Sequence, residues 1–102
     1  MIRGEVWWAD VPGIGRRPVL LLTRDEAIPL LGRLSVALLT TTVRGLPSEV
    51  VVDESDGLPQ RSAVTLDNLH TVPKGLLRQR ITAVTRARMD EVCAALRFAT
   101  AC

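Results

Sequence analysis

Residues 13–24 read GIGRRPVLLLTR: two glycines, two arginines and a proline run directly into an apolar stretch. Val19 to Leu22 carries no polar residue to mark a solvent face, so the segment reads as a strand covered on both sides. A flexible cationic bend thus stands immediately before a buried strand. The same alternation of apolar run and turn residues continues on both sides of it. EVWWADV (5–11) ends at Pro12-Gly13, and DEAIPLLGR (25–33), broken by Pro29 and Gly32, reads as a loop or a broken helical turn. LSVALLTT (34–41), SEVVVDE (48–54) and the long SAVTLDNLHTV (62–72) follow, separated by turns at RGLP and SDGLPQR. Short strands punctuated in this way predict a small barrel or sandwich.

The period changes in the last third. After Pro73-Lys74-Gly75 and a brief ITAV strand, Thr85 stands where an N-cap belongs, and Met89, Val92, Cys93, Leu96 and Ala99 fall on one helical face. The spacing predicts an amphipathic helix of about three to four turns. Val84 and Met89 occupy the positions of a hydrophobic staple that fixes the chain's entry into it. Cys93 reads as a small core residue.

Composition bounds the function classes. One hundred and two residues at 47% hydrophobic suit one domain with a real core, residues 1–102 forming a single unit without repeats or linkers. The formal net charge is only +2, but twelve of the thirteen basic residues are arginine. Arginine's planar fork suits phosphates and base edges, so the bias points to an anionic partner, or equally to the composition of the source genome. Two cysteines make no disulfide framework, and MIRGEVWWADV lacks the apolar run of a signal peptide, so the expectation is a cytoplasmic protein. No apolar run approaches a membrane span, and no membrane role is expected.

Familiar catalytic constellations fail in turn. His70 is the only histidine, so one chain cannot build a paired-histidine acid–base site or a histidine-rich zinc site. Asp53, Glu54 and Asp56 lack calcium-loop spacing, so no metal site and no cofactor is expected. Gly13-x-Gly15 lacks the third glycine of a dinucleotide fingerprint and feeds a strand where a fingerprint feeds a helix. What survives is a polar set at strand ends. Arg16 and Arg17 precede one strand, Thr40, Thr41 and Thr42 end another, and Asp67, Asn68 and His70 interrupt a third. The threonines suit a strand on propensity alone. The Asp-Asn pair must either satisfy a neighbouring loop or face a ligand, because unpartnered burial of such groups costs a few kcal/mol.

In order and spacing these segments resemble the MazF/PemK toxins of bacterial toxin–antitoxin systems. The resemblance rests on RGEVWWADV, then G-x-R-R-P-V-L-L-L, then L-T-T-T-V-R-G-L-P-S-E-V, then V-T-L-D-N-L-H-T-V and the terminal amphipathic helix. It implies a mainly β fold with short helices, a Src-homology-3-like barrel with a C-terminal α-helix, usually dimeric. It also implies metal-independent, sequence-selective cleavage of single-stranded RNA, restrained by a cognate MazE-like antitoxin. The family's arginine before proline falls on Arg17 and its threonine after the third long strand on Thr40, the pair to which catalysis is assigned. Its acidic–amide pair falls on Asp67 and Asn68, which together with Gly15, Arg16, Thr41 and His70 form the expected RNA-binding set. Many members carry Ser-Glu-Gln just before the Gly-x-Arg-Pro segment. This chain has only GIGR there, so an acid–base role for that glutamate has no candidate.

On physical grounds the bend can serve as an oxyanion clamp: glycines admit a phosphate, Arg17 supplies the charged fork, and Pro18 holds Arg17 extended. The competing structural role for Arg17 is a surface ion pair with Asp10 or Asp67. The mechanism that follows from the clamp is attack by the RNA's own 2′-hydroxyl, with Arg17 and Thr40 stabilising the phosphorane. Arginine is a poor general base, which leaves Asp67 and His70 as titratable candidates. The acid-free stretch Pro73–Met89, holding Lys74, Arg78, Arg80, Arg86 and Arg88, is a candidate face for an acidic antitoxin or for RNA. Two rival functions remain. A CcdB-like topoisomerase inhibitor acts through a C-terminal Trp-Gly-Ile, where this chain reads FATAC. A plain single-stranded RNA-binding module usually presents several aromatic rings, and here only Trp7, Trp8 and Phe98 are available.

Overall fold

A computed structural model describes residues 1–102. Six strands form one antiparallel sheet: β1 (Glu5–Val11), β2 (Gly15–Leu21), β3 (Arg33–Thr40), β4 (Glu49–Val52), β5 (Ser62–Pro73) and β6 (Leu77–Ala83), in the order β4-β5-β3-β2-β1-β6. One helix, α1 (Arg86–Thr100), follows. The apolar runs are covered on both faces, as their lack of a polar side requires. Val6, Leu20, Leu39, Val50 and Leu66 turn to one face and join Met89, Val92 and Ala95 of α1. Ala9, Val19, Leu21, Leu34, Val36 and Val72 turn to the other. Strand alternation alone, as at Leu20 and Leu21, delivers successive residues to opposite cores.

The helix begins as its sequence specifies. The Thr85 side chain accepts a hydrogen bond from the Arg88 N–H, and Val84 and Met89 pack into the same core. The buried face is Met89, Val92 and Ala95, whereas Cys93 is only half-buried, at the helix edge, where the Arg3 guanidinium donates to its sulfur at 3.3 Å. Residues 25–31 make a broken helical turn, with the Ile28 and Leu31 N–H groups bonded to the Arg24 and Ala27 carbonyls.

Two strands differ from expectation. The second begins at Gly15, not after Arg17, because Arg16 and Arg17 pair in register with Asp10 and Ala9 of β1. The bend is confined to residues 12–14, and Gly13 within it and Gly15 at the start of the strand take φ of 78° and 107° to close the hairpin. The sixth strand starts four residues before ITAV: Leu77, Gln79 and Arg80 pair with β1 although Arg78, Gln79 and Arg80 are exposed. A polar edge strand carries no apolar run to announce it.

The sheet's terminal strands, β4 and β6, do not pair by a ladder. A short 3-10 turn after β4 (Glu54–Asp56) bridges them: the Thr82 hydroxyl of β6 donates to the Asp56 carbonyl at 2.9 Å. Gly57 follows at φ 89°, where an added Cβ would lie 2.3 Å from the Thr82 hydroxyl. Arg88 of α1 locks the same turn, donating to both carboxylate oxygens of Asp56 at 3.0 and 3.3 Å. The Asp56 side chain is 6% exposed, and that guanidinium and the Asp53 N–H, which donates to it at 3.0 Å, offset its burial. Arg88→Ala is expected to cost about 2 kcal/mol, below the range for a fully buried pair because Arg88 itself reaches solvent. Urea unfolding of the variant measures it; Arg88→Lys should recover part of the loss.

Glu5 forms a second buried ionic cluster. Burial alone would raise its carboxyl, but hydrogen bonds from Arg80 at 2.7 Å, the Trp7 indole at 3.1 Å and the Ile2 N–H at 2.8 Å outweigh that. Together with the N-terminal charge they hold it below its ordinary 4.5. A lowered carboxyl adds stability that is present above its unfolded value and lost as pH falls through the folded one. Stability should therefore decline as pH drops below 4.5, and Glu5→Gln should flatten that acid limb in urea titrations run at a series of pH values.

Candidate active site

At the seam between β6 and the turn after β4 lies a cleft of about 290 Å³. Arg16, Arg17 and Pro18 at the start of β2 form one wall, and Thr40 and Thr41 at the end of β3 form another. Trp8, Ile81 and the segment Leu58–Gln60 with Ser62 complete it. Pairing of β2 with β3 through Val19 and Leu38 brings the start of one strand to the end of the other. That is why residues 16–18 and 40–41 meet although the sequence separates them.

The two arginines differ electrostatically. Arg16 shares Asp10 with Arg78: their Nε atoms lie 3.6 and 2.6 Å from its carboxylate oxygens. The Arg78 hydrogen bond, and the charges of both arginines, hold Asp10 below the usual carboxylate range. Asp10 is thereby kept ionised and makes a poor proton acceptor. Arg17 is exposed and forms no ion pair or side-chain hydrogen bond, so the competing role as a surface ion pair with Asp10 or Asp67 is absent and its fork is free for a ligand. The Thr40 hydroxyl accepts from the Thr42 N–H at 3.1 Å, which orients its oxygen and leaves its own proton to donate.

Thr41, which strict alternation along β3 would send to the face opposite Thr40, lines the same cleft. The strand ends at Thr40, and beyond its end the two-residue period no longer applies. Gly15, Asp67, Asn68 and His70 lie outside the cleft lining. Gly15 sits at the hairpin turn, opposite Val11. Asp67 and Asn68 are exposed, at a bulge where Ala37 faces Leu69 but Leu38 faces Thr65. Of the two alternatives for that pair, Asp67 satisfies a neighbouring loop, accepting a hydrogen bond from the Ser48 hydroxyl. His70 is half-buried opposite Val36, while Thr40 faces Ala63 near the other end of β5. Neither titratable candidate for a general base shares the cleft with Arg17.

The basic stretch is also largely neutralised. Arg78 pairs with Asp10, Arg80 with Glu5, and Arg88 with Asp56 and Glu91, so only Lys74 and Arg86 remain unpaired. Local sequence shows no acid there because the partners come from β1, the turn after β4 and the next turn of α1. The polar lining residues the sequence did not single out for the site are Gln60 and Ser62. Trp8 stands out in the sequence only as an aromatic, although its place two residues from Val6 and opposite Pro18 sets its face. The chain has no cluster of three or more His, Cys, Asp or Glu side chains able to hold a metal ion, and no helix long and apolar enough to cross a membrane.

The model of the PemK-like, MazF-like toxins of type II toxin–antitoxin systems matches residues 2–100. The chain belongs to this family. Among MazF relatives, the Mycobacterium tuberculosis protein named "Probable endoribonuclease MazF5" is 50% identical over 101 residues, covering 98% of this chain and 93% of that one. The solved structure of "Mycobacterium tuberculosis toxin MazF-mt6" superposes with a TM-score of 0.88 at 37% identity, over 95% of this chain and 96% of that one. A mycobacterial "Endoribonuclease in complex with its cognate antitoxin" gives 0.88 at 30% identity, over 99% and 95%. The six-stranded sheet with its terminal helix is thus the MazF-type barrel. In this MazF-like chain the arginine before proline and the threonine closing the third strand, Arg17 and Thr40, share one cleft.

Proposed function

We propose that residues 1–102 act as a single toxin domain, a metal-independent endoribonuclease that cuts single-stranded RNA in the cleft between β2, β3 and the segment after β4. One observation carries this reading: Arg17, whose guanidinium is unpaired, and Thr40, whose hydroxyl keeps its proton to donate, line the same cleft. A cationic fork and a neutral donor facing one space suit a phosphorane, whose charge grows as the bond to phosphorus forms. The nucleophile is the 2′-hydroxyl of the ribose 5′ to the cut. Its oxygen bonds to phosphorus, the P–O5′ bond breaks, the 2′ proton passes to solvent and the departing O5′ takes up a proton. The products are a 2′,3′-cyclic phosphate, or its hydrolysed form, and a 5′-hydroxyl. Arg17 and Thr40 hold the non-bridging oxygens throughout.

As a toxin the protein is restrained by a small antitoxin of the MazE type, as the antitoxin complex of its mycobacterial relative suggests, and it works as a homodimer in the cytoplasm. The relatives named above are endoribonucleases or MazF toxins, which leaves the topoisomerase-inhibitor reading without support. The test is incubation of purified protein with unstructured RNA in excess EDTA, with end-mapping of the fragments and an Arg17→Ala preparation as the contamination control. Discrete cuts bearing 5′-hydroxyl ends are expected. Intact RNA, or equal cutting by both preparations, would sink the proposal.

A further inference from the structure

Beyond the phosphate-facing pair, the cleft contains groups that phosphate chemistry does not use. We infer that it includes a base-reading subsite, in which one nucleobase beside the cut stacks on Trp8 and has its edge read by the carboxamide of Gln60. This rests on the endoribonuclease reading above.

Trp8 and Arg17 lie on neighbouring strands, with Trp8 opposite Pro18 in register. Both line the same cleft, so a base flanking a phosphate held by Arg17 shares that space with the indole. Trp7 turns the other way, into the second core, and its N–H is taken by Glu5. Trp8 is half-buried, and its indole N–H has no partner in the chain. Stacking on such a ring stabilises any base to a similar degree, on the order of ten- to a hundredfold in affinity, and so confers little sequence preference.

Preference requires a hydrogen-bond pattern. Of the groups lining the cleft, the hydroxyls of Ser62, Thr40 and Thr41 rotate to donate or accept and discriminate weakly. The Gln60 carboxamide presents a donor and an acceptor side by side, matching the paired groups on an exposed base edge. No side-chain hydrogen bond within the protein occupies it; only its backbone carbonyl is engaged, accepting from the Ser62 hydroxyl at 3.2 Å.

Gln60 is also held in place, which a reading residue needs. The preceding turn is bolted by Arg88 to Asp56 and by Thr82 to the Asp56 carbonyl, Leu58 is buried in the main core, and Pro59 fixes its own φ and restricts Leu58 before it. The Gln60 backbone is thus fixed before RNA arrives, and little ordering entropy opposes the contact.

The experiment is cleavage of a random-sequence RNA pool by wild type, Gln60→Ala, Gln60→Glu and Trp8→Phe, with the cut ends sequenced. Wild type should show a defined motif. Gln60→Ala should lose preference at a single position beside the cut, by roughly tenfold to a hundredfold, the discrimination one bidentate contact supplies, with the other positions unchanged. Gln60→Glu, which only accepts, should favour a different base there. Trp8→Phe should keep the motif and raise KM for all sequences alike. A Gln60→Ala motif identical to wild type at every position would overturn the subsite. A wild-type protein that cuts no RNA would instead overturn the nuclease reading itself.

Discussion

RNA lacking the single 2′-hydroxyl next to the scissile phosphate is expected to survive the protein intact, at least about a thousandfold longer than its all-ribose counterpart. The expectation comes from what the cleft contains. Its lining has two arginines, hydroxyls, one carboxamide and apolar groups, with no carboxylate, histidine or cysteine. The acid paired with a lining arginine, Asp10, is held ionised by Arg78 and Arg16. Such a lining stabilises charge but has no side chain placed to activate a water molecule. The sugar's own oxygen needs no capture from solvent, and tethering it through C2′, C3′ and O3′, so that attack closes a five-membered ring, supplies an advantage that water lacks. The same lining predicts that the rate rises with pH through the neutral range without a bell-shaped maximum, because no cleft residue titrates there as a base. Single-turnover cleavage of an oligonucleotide with one deoxyribose, beside its all-ribose form and across several pH values, measures both. Efficient cutting of the deoxy substrate would mean that water or a side chain attacks.

The parts of this molecule that were legible in its sequence are the ones governed by local rules. β1 and β5 lie where their apolar runs place them, within one residue, and α1 starts at the threonine whose hydroxyl caps it. What stayed hidden depends on contacts between distant segments. Gly15 to Arg17 belong to a strand because a short hairpin turn sets their register against Val11, Asp10 and Ala9, and no property of GRR alone says so. Asp67 and Asn68 look out of place in an apolar strand, but the bulge that exposes them is a mismatch between β3 and β5. The five cations after Pro73 look like a free basic face until β1 and the turn after β4 bring Asp10, Glu5 and Asp56 to three of them. The cleft is the extreme case. Its two walls are brought together by the pairing of β2 with β3, its floor by the seam where β6 meets the turn after β4, and nothing near Arg17 or Thr40 in the sequence points to Gln60.

Replacing Arg17 or Thr40 by alanine should each slow cleavage by about a hundredfold or more, close to 3 kcal/mol of transition-state stabilisation, with the fold intact. Neither side chain supports the structure in a way that would blur the result. Arg17 is exposed and unpaired, and the Thr40 hydroxyl's only bond is to the Thr42 N–H beyond the strand end. Arg17→Lys should recover only part of the rate, because an ammonium keeps the charge and loses the two-pronged donor. Thr40→Ser, which retains the hydroxyl, should recover more than Thr40→Ala. Thr41 shares the cleft and is no neutral comparator. Thr42 is the better one, since it lies outside the cleft lining and serves Thr40 through its backbone N–H, which Thr42→Ala preserves. Arg16 tests charge against geometry: it already shares Asp10 with Arg78, so Arg16→Ala should weaken RNA binding while affecting the chemical step less than Arg17→Ala. The measurement is single-turnover cleavage by each variant at saturating and limiting protein, with thermal melting as the control for folding. A folded Arg17→Ala protein that cuts at the wild-type rate would place the chemistry elsewhere, and the free guanidinium at the start of β2 would then need another ligand.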